Sequence, residues 1–286
     1  MKHFFIITNQ QKDKDLALTK QMKTFIEEHN GTCAYYATEG KRGIDAAPEL
    51  DAIPGETECI FVLGGDGTLI RAAVKLVAKN IPLIGINLGT LGYLCELEAK
   101  DVFEAIGRMM KDNYVLEERM MLTGHGEMHG AQTIERTALN EIAIHRTGSL
   151  SILNLILYVN GKYLHTFHGD GILVSTPTGS TGYNMSAGGP IVDPKASMLV
   201  LTPINAHNLN AKSIVIGAGD EVMIEIGSRR VEGDEAALVS FDGDGIEKLA
   251  VGDKFVIKKA DATIKICKLS EESFLEILRK KMQAYS

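Results

Sequence analysis

The feature that most constrains this chain is a change of rhythm a little past its hundredth residue. Before it, short strand-like runs that are apolar nearly throughout (4–8, 59–63 and 83–86) alternate with stretches of helical spacing (16–29, 69–78 and 101–111). In the first helical stretch Leu18, Met22, Phe25 and Ile26 share one face. Strands that stay apolar on both sides, separated by helices, predict a parallel sheet covered on both faces. Past about residue 117 the chain reads as many short strands: 139–144, 151–159, 162–167, 172–175, 198–201, 213–216, 221–226, 236–241, 254–258 and 263–267. Turn signals punctuate them, among them Asn160-Gly161 and the run Asp242-Gly243-Asp244-Gly245. That density predicts a second, all-β domain of sandwich type. The chain closes with SEESFLEILRKKMQ, where Ser270 is the expected N-cap and Phe274, Leu275, Ile277, Leu278 and Met282 form an apolar stripe. The expected fold is therefore α/β plus all-β. Residues 1–116 form the α/β domain, helix 270–286 returns to it, and 117–269 form the β-sandwich.

Composition bounds the function. A net charge of −7 leaves no basic stripe for a nucleic-acid backbone, so no nucleic-acid partner is expected. Four cysteines stand far apart without a C-x-x-C pair, the pattern of reduced thiols in a cytoplasmic protein. The first apolar run is too short for a signal peptide or a membrane span, so no membrane partner is expected. His125, His129, His165, His168 and His207 do not fall in metal-ligand spacing, and no protein-bound metal is expected.

Two clusters of special residues remain. In an open parallel sheet, ligands bind beyond the C-terminal ends of the strands, often at the start of the next helix. Gly64-Gly65-Asp66-Gly67 holds that position, before a helix expected to begin near Thr68. Bare glycines let a phosphate or a sugar approach the backbone. Thr68 caps the helix or touches the same ligand, and Arg71 lies one turn in, within reach of an anion. The loop is neither a Walker A motif nor a dinucleotide fingerprint. A carboxylate in an anion-binding loop has two sensible jobs: taking a proton from a hydroxyl, or holding a magnesium ion that carries the phosphate. An ordinary βα turn with a capping Asp fits the four residues as well. A second loop, Asn87 through Tyr93, follows the next strand and is expected beside the first. The other cluster begins at Gly169. Ser175, Thr176, Thr178, Ser180 and Thr181 supply five hydroxyls, four glycines bend the backbone, and Tyr183 offers an aromatic face. Hydroxyls with an aromatic suit a ribose and a flat base. A serine nucleophile is disfavoured because Gly-x-Ser-x-Gly is absent.

With GGDGT at 64–68, NLGTLGYL at 87–94, NE at 140–141, DG at 170–171 and STPTGSTGYNMSAGGPI from Ser175, the sequence resembles the NAD kinase family over most of its length. GGDGT alone is shared with lipid kinases; the long second motif makes the likeness specific. The resemblance implies a Rossmann-like α/β domain and a β-sandwich with the site between them. It implies transfer of a phosphoryl group from Mg2+-ATP, or from polyphosphate, to the adenosine ribose 2′-hydroxyl of NAD, in a homodimer or homotetramer. By matching positions, Asp66 would accept the proton, with Gly67 against the sugar and Gly64, Gly65, Thr68, Arg71 and Tyr93 around the phosphates and substrate. Asn140 would bind adenine and Glu141 ribose hydroxyls, while Asp170, Thr178, Thr181, Gly182, Tyr183, Asn184 and Ser186 would line the NAD pocket. His168 stands where many bacterial members have arginine, a position linked in the family to the choice between NAD and NADH. Lys212-Ser213 replaces a common arginine-proline pair, and a lysine lacks the bidentate fork of arginine. Asn205 falls near the edge of the pocket that a second subunit is expected to complete. A lipid or other small-molecule kinase, or a dinucleotide sensor without turnover, are the competing readings.

Overall fold

The structure is a computed structural model and describes residues 1–38, 47–89, 92–95, 97–128, 132–147, 152–207, 211–228, 237–270 and 272–284. The chain divides into two compact units, Met1–Arg119 with Thr263–Ser286, and Met120–Ala262. The sequence expectation placed these divisions at 116/117 and 269/270.

In the first unit the strands are β1 (His3–Thr8), β2 (Thr32–Ala37), β3 (Cys59–Gly64), β4 (Leu83–Asn87) and the short β5 (Leu97–Glu98). They pair in parallel in the order β2-β1-β3-β4, with β5 on β4. Helix α1 (Ala17–Glu28) lies between β1 and β2, α2 (Asp66–Leu76) between β3 and β4, and α3 (Val102–Met110) follows β5. The unbroken apolar runs follow from two covered faces. Phe4, Ile6, Phe61 and Leu63 join Met22 and Ile26 of α1 and Ile106 and Met109 of α3 in one core. Phe5, Ile7, Ile60 and Val62 are buried as well, although alternate residues of a strand point to the opposite face. Strand β2 escaped the sequence reading because it is an edge strand, with only Cys33 fully buried among half-exposed neighbours. Helix α2 begins at Asp66, earlier than expected, with Gly65 at its N-cap in extended conformation. Thr68 is therefore not the cap. It is buried beneath the turn, and a side chain on Gly64 would stand 2.5 Å from its Oγ1.

The remaining strands are β6 (Val115–Met128), β7 (Gln132–Ala138), β8 (Glu141–His145), β9 (Leu153–Val159), β10 (Lys162–Gly169), β11 (Gly171–Ser175), β12 (Met198–Ile204), β13 (Ile214–Gly217), β14 (Val222–Ile226), β15 (Ala237–Phe241), β16 (Asp244–Leu249) and β17 (Lys254–Lys268). A one-turn helix, α4 (Tyr183–Ser186), interrupts them and α5 (Phe274–Ala284) ends the chain. In the second unit one antiparallel sheet runs β10-β9-β14-β17 and another β13-β12-β11-β8-β15-β16. Leu155, Leu157 and Ile224 of the first meet Ile142, Val174, Leu201 and Val239 of the second in one core, which makes a β-sandwich. Both predicted turns are present. Asn160-Gly161 (φ 51° and 72°) joins β9 to β10, and Asp242-Gly243 (φ 51° and 79°) joins β15 to β16. Positive φ at both positions marks type I′ hairpins. The two strands expected at 254–258 and 263–267 are one continuous strand, β17. Its end pairs in parallel with β4 through Ile266 and Leu83 in the first unit. Strands β6, β7 and β16 were not foreseen; β6 and β7 form a hairpin rich in charged residues, which weakens the alternation.

Helix α5 lies with the first unit, with Ile277 buried. Its cap is Ser273 rather than Ser270. Ser273 Oγ accepts from the Glu276 N–H at 3.3 Å, and the Glu276 carboxylate accepts from the Ser273 N–H at 2.7 Å, a reciprocal capping box. Leu275 and Met282 are exposed, so the buried stripe is narrower than the sequence pattern.

Candidate active site

In the first unit the glycine turn is built by the pairing of β3 with its neighbours. Leu88 N–H donates to Gly64 O at 2.8 Å, which sets the loop after β4 beside the turn after β3. The carboxylate of Asp66 crosses to the second half of that loop. Its Oδ2 accepts from Tyr93 N–H at 2.6 Å, and its Oδ1 accepts from Leu94 N–H at 3.2 Å and Cys95 N–H at 3.0 Å. Gly92 makes this possible, because a side chain there would meet Asp66 Oδ1 at 1.8 Å. Tyr93 thus contributes its backbone to Asp66, while its ring lies 4.4 Å below Lys281 Nζ of α5. Arg71 reaches back over the turn: a side chain on Gly67 would lie 3.6 Å from its Nη1. Its Nε is buried without a partner among the described residues. Sequence reasoning missed Lys12. Its Nζ lies 3.4 Å from the Cβ position of Gly65 and 3.5 Å from that of Gly89, so a second cation flanks the turn. The fold brings it there: Thr8 pairs with Leu63, so the loops that follow β1 and β3 leave the sheet at the same edge.

In the second unit the candidates converge on the corner at residues 139–141. Gly182 packs against it, with its Cβ position 3.2 Å from Glu141 Oε2 and 3.3 Å from Asn140 Nδ2. Glu141 is 8% exposed and receives the Tyr183 backbone N–H, while its Oε2 has no partner among the described residues. Burial, reinforced by the nearby Asp242, pushes its carboxyl up to about 8. Asn140 Oδ1 and Thr178 Oγ1 are likewise buried without partners. A cavity of about 510 Å³ opens here, lined by Glu141, Tyr183, Asp170 and Asn205 together with Arg146, His145, Ser240 and Ile246. Asp170 accepts from Asn205 Nδ2 at 3.0 Å and from Arg146 Nε at 2.7 Å, and these two bonds hold its carboxyl below the usual carboxylate range.

Other candidates stand apart from the cavity. Asn184 is fully buried; its amide donates to Ser180 O at 3.1 Å and Pro190 O at 2.9 Å and accepts from Thr202 Oγ1 at 2.6 Å. It pins the glycine-rich turn. Ser186 is exposed, and His168 pairs through Nδ1 with Asn154 Oδ1 at 2.6 Å. The five clustered hydroxyls also read differently in three dimensions. Ser175, Thr176, Ser180 and Thr181 donate to backbone carbonyls and fasten the turn, which leaves Thr178 as the one of the five without a partner among the described residues.

Comparison with known proteins gives this geometry a family. The ATP-NAD kinase N-terminal domain matches residues 4–114 and the ATP-NAD kinase C-terminal domain matches residues 139–269. The chain belongs to the NAD kinase family. As a member it is an NAD-phosphorylating enzyme. Its similarity to the NAD kinase of Agathobacter rectalis is 57% identity over 286 residues, all of both chains. To that of Lachnospira eligens it is 40% over 293 residues, covering 99% of this chain and 100% of the other. Among solved structures, a yeast NADH kinase complexed with NADH superposes with a TM-score of 0.86 at 22% identity, covering 99% of this chain and 88% of that one. An NAD kinase from Archaeoglobus fulgidus in complex with ATP superposes at 0.76 and 22% identity, covering 97% of this chain and 98% of that one. At that identity these two speak for the NAD kinase fold.

Proposed function

We propose that this NAD kinase moves the terminal phosphoryl group of ATP, or of polyphosphate, to the 2′-hydroxyl of the adenosine ribose of NAD, with Asp66 as proton acceptor. The observation that carries the reading is a carboxylate fixed by three backbone amides at the head of a helix, in a turn of bare glycines flanked by Lys12 and Arg71. The ribose oxygen forms its bond to the γ-phosphorus as the bond to the bridging oxygen breaks, and ADP carries that electron pair away. The hydroxyl proton passes to Asp66. A ribose hydroxyl is too weak an acid to ionise beforehand, and a loose transition state needs little charge on the nucleophile early, so a positioned acceptor that works late suffices. Lys12 and Arg71 stand where they would neutralise the donor phosphates, and magnesium carried by ATP would add positive charge to them.

Asn140 and Glu141 read the adenosine, with Thr178, Gly182, Tyr183 and Asp170 around it. His168 bears on the choice of nicotinamide state, and Asn205 on a pocket edge completed in a homodimer or homotetramer. A cytoplasmic setting belongs to the same proposal, supported by four free, buried cysteines. Among the described residues no helix is long and apolar enough to cross a membrane.

The test is NADP formation from NAD and Mg2+-ATP, followed with an NADP-specific dehydrogenase, with Asp66→Asn beside the wild type. The variant is expected to lose roughly 10²–10⁴-fold in kcat, the usual worth of a general base, while NAD binding survives. A wild type inactive with both ATP and polyphosphate would sink the proposal, and NAD binding without turnover would make the chain a sensor.

A further inference from the structure

The corner that presents Asn140 and Glu141 is held from a place the reaction does not otherwise use. Asp242 lies in the tight turn between β15 and β16, in left-handed conformation at φ 51°. Its Oδ2 accepts from Leu139 N–H at 2.7 Å, and its Oδ1 accepts from Asn140 N–H at 2.7 Å and Glu141 N–H at 3.0 Å. The exchange is reciprocal, since Asp242 N–H donates to Glu141 O at 3.0 Å. The opposite side of the corner is closed by Thr176, whose N–H donates to Asn140 O at 2.8 Å and whose hydroxyl donates to Leu139 O at 2.7 Å. The backbone of the corner is thus satisfied, whereas Asn140 Oδ1 and Glu141 Oε2 are buried with no partner among the described residues. Buried polar atoms without partners are costly and rare, so a rigid corner that keeps two of them is arranged to receive a ligand.

We propose that Asp242 is a positioning residue for NAD recognition, fixing the backbone of residues 139–141 so that the Asn140 and Glu141 side chains meet the adenosine in one geometry. The inference rests on the assignment of that corner to NAD. Electrostatics supports it. Burial raises both carboxyls, Glu141 to about 8 and Asp242 to about 6, so near neutral pH the charge of the pair sits on Asp242, where three N–H groups face it. Glu141 then meets the ligand as a neutral carboxyl able to donate as well as accept.

Asp242→Asn removes one acceptor oxygen and turns an NH2 group toward backbone donors. NAD affinity is to be measured calorimetrically for the wild type, Asp242→Asn, the pair Asn140→Ala with Glu141→Gln, and the triple variant, beside the KM for Mg2+-ATP and the thermal midpoint. The Asp242→Asn change is expected to weaken NAD binding by about tenfold or more and to shift the KM for ATP by less than about twofold. In that background, where the native Asn140 and Glu141 side chains are both replaced, its effect on NAD should shrink to about twofold or less, the non-additivity of residues acting as a unit. An unchanged NAD affinity overturns the proposal. So does an equal loss for ATP, or a full loss in the Asn140→Ala, Glu141→Gln background. If Asp242→Asn does not fold, Asp242→Glu, which keeps the carboxylate but displaces it by a methylene, carries the same comparison. A wild type that binds NAD without forming NADP removes the kinase reading and leaves the affinity test standing. One that does not bind NAD overturns both.

Discussion

A methyl group on Gly92 would stand 1.8 Å from Oδ1 of Asp66, closer than any non-bonded contact allows. Gly92→Ala must therefore push the carboxylate off the three amides that hold it. Turnover is expected to fall toward that of Asp66→Asn while NAD binding stays within about twofold, since misplacing a reacting group by about 1 Å costs on the order of 100-fold. Near-wild-type kcat in a folded Gly92→Ala protein would show that the amide clamp is dispensable. The second residue-scale consequence concerns pH. Burial raises Glu141 from its ordinary 4.5 to about 8 and Asp242 from 3.8 to about 6. The folded chain then holds protons that the unfolded chain has released, so the stability tied to these groups is complete below about pH 4 and is lost as pH climbs through 6 and 8. The thermal midpoint is expected to drop between pH 5 and 8, and Glu141→Gln to flatten the upper part of that drop. A parallel profile for the two proteins would count against it.

At the scale of elements, the hairpin at Asp242-Gly243 links fold to site. Gly243 has φ 79° and, among the described residues, no atom within 4 Å of its Cβ position, so Gly243→Ala tests backbone strain. The left-handed conformation costs an L residue roughly 1–2 kcal/mol, and the urea midpoint should fall accordingly with an unchanged slope. No shift would mean that the turn relaxes into another type. The dipeptide was legible in the sequence as a turn because positive φ at two successive positions leaves few residue choices. Its carboxylate was not, since the N–H groups of residues 139–141 lie a hundred residues away along the chain. The capping of α5 lies on the legible side. Ser270 and Ser273 both precede an apolar run, but only Ser273 has a glutamate three residues on, the spacing of a capping box, and its bonds with Glu276 follow that spacing.

For the whole molecule, the metal offers the cleanest test. Magnesium is expected to arrive with ATP, and among the described residues no group of three or more His, Cys, Asp or Glu side chains is placed to hold an ion. Chelation with EDTA should abolish NADP formation yet shift the thermal midpoint by less than about 1 °C, because an ion that is not part of the folded chain adds nothing to its stability. A large shift would reveal a resident metal.

The sequence by itself determined the two-part architecture, because a period of two, a period of 3.6 and runs covered on both faces are local patterns set by backbone geometry. It also determined the position of Asp66 and the glycines around it, since a turn between strand and helix is a matter of neighbours in the chain. Tertiary structure alone decided what each polar group does. Four of the five clustered hydroxyls fasten backbone. Asn184 pins a turn, Lys12 joins the glycine mouth, and Asp242 holds the corner of Asn140 and Glu141. A hydrogen bond depends on where the partner lies in space, and a linear pattern carries no record of that.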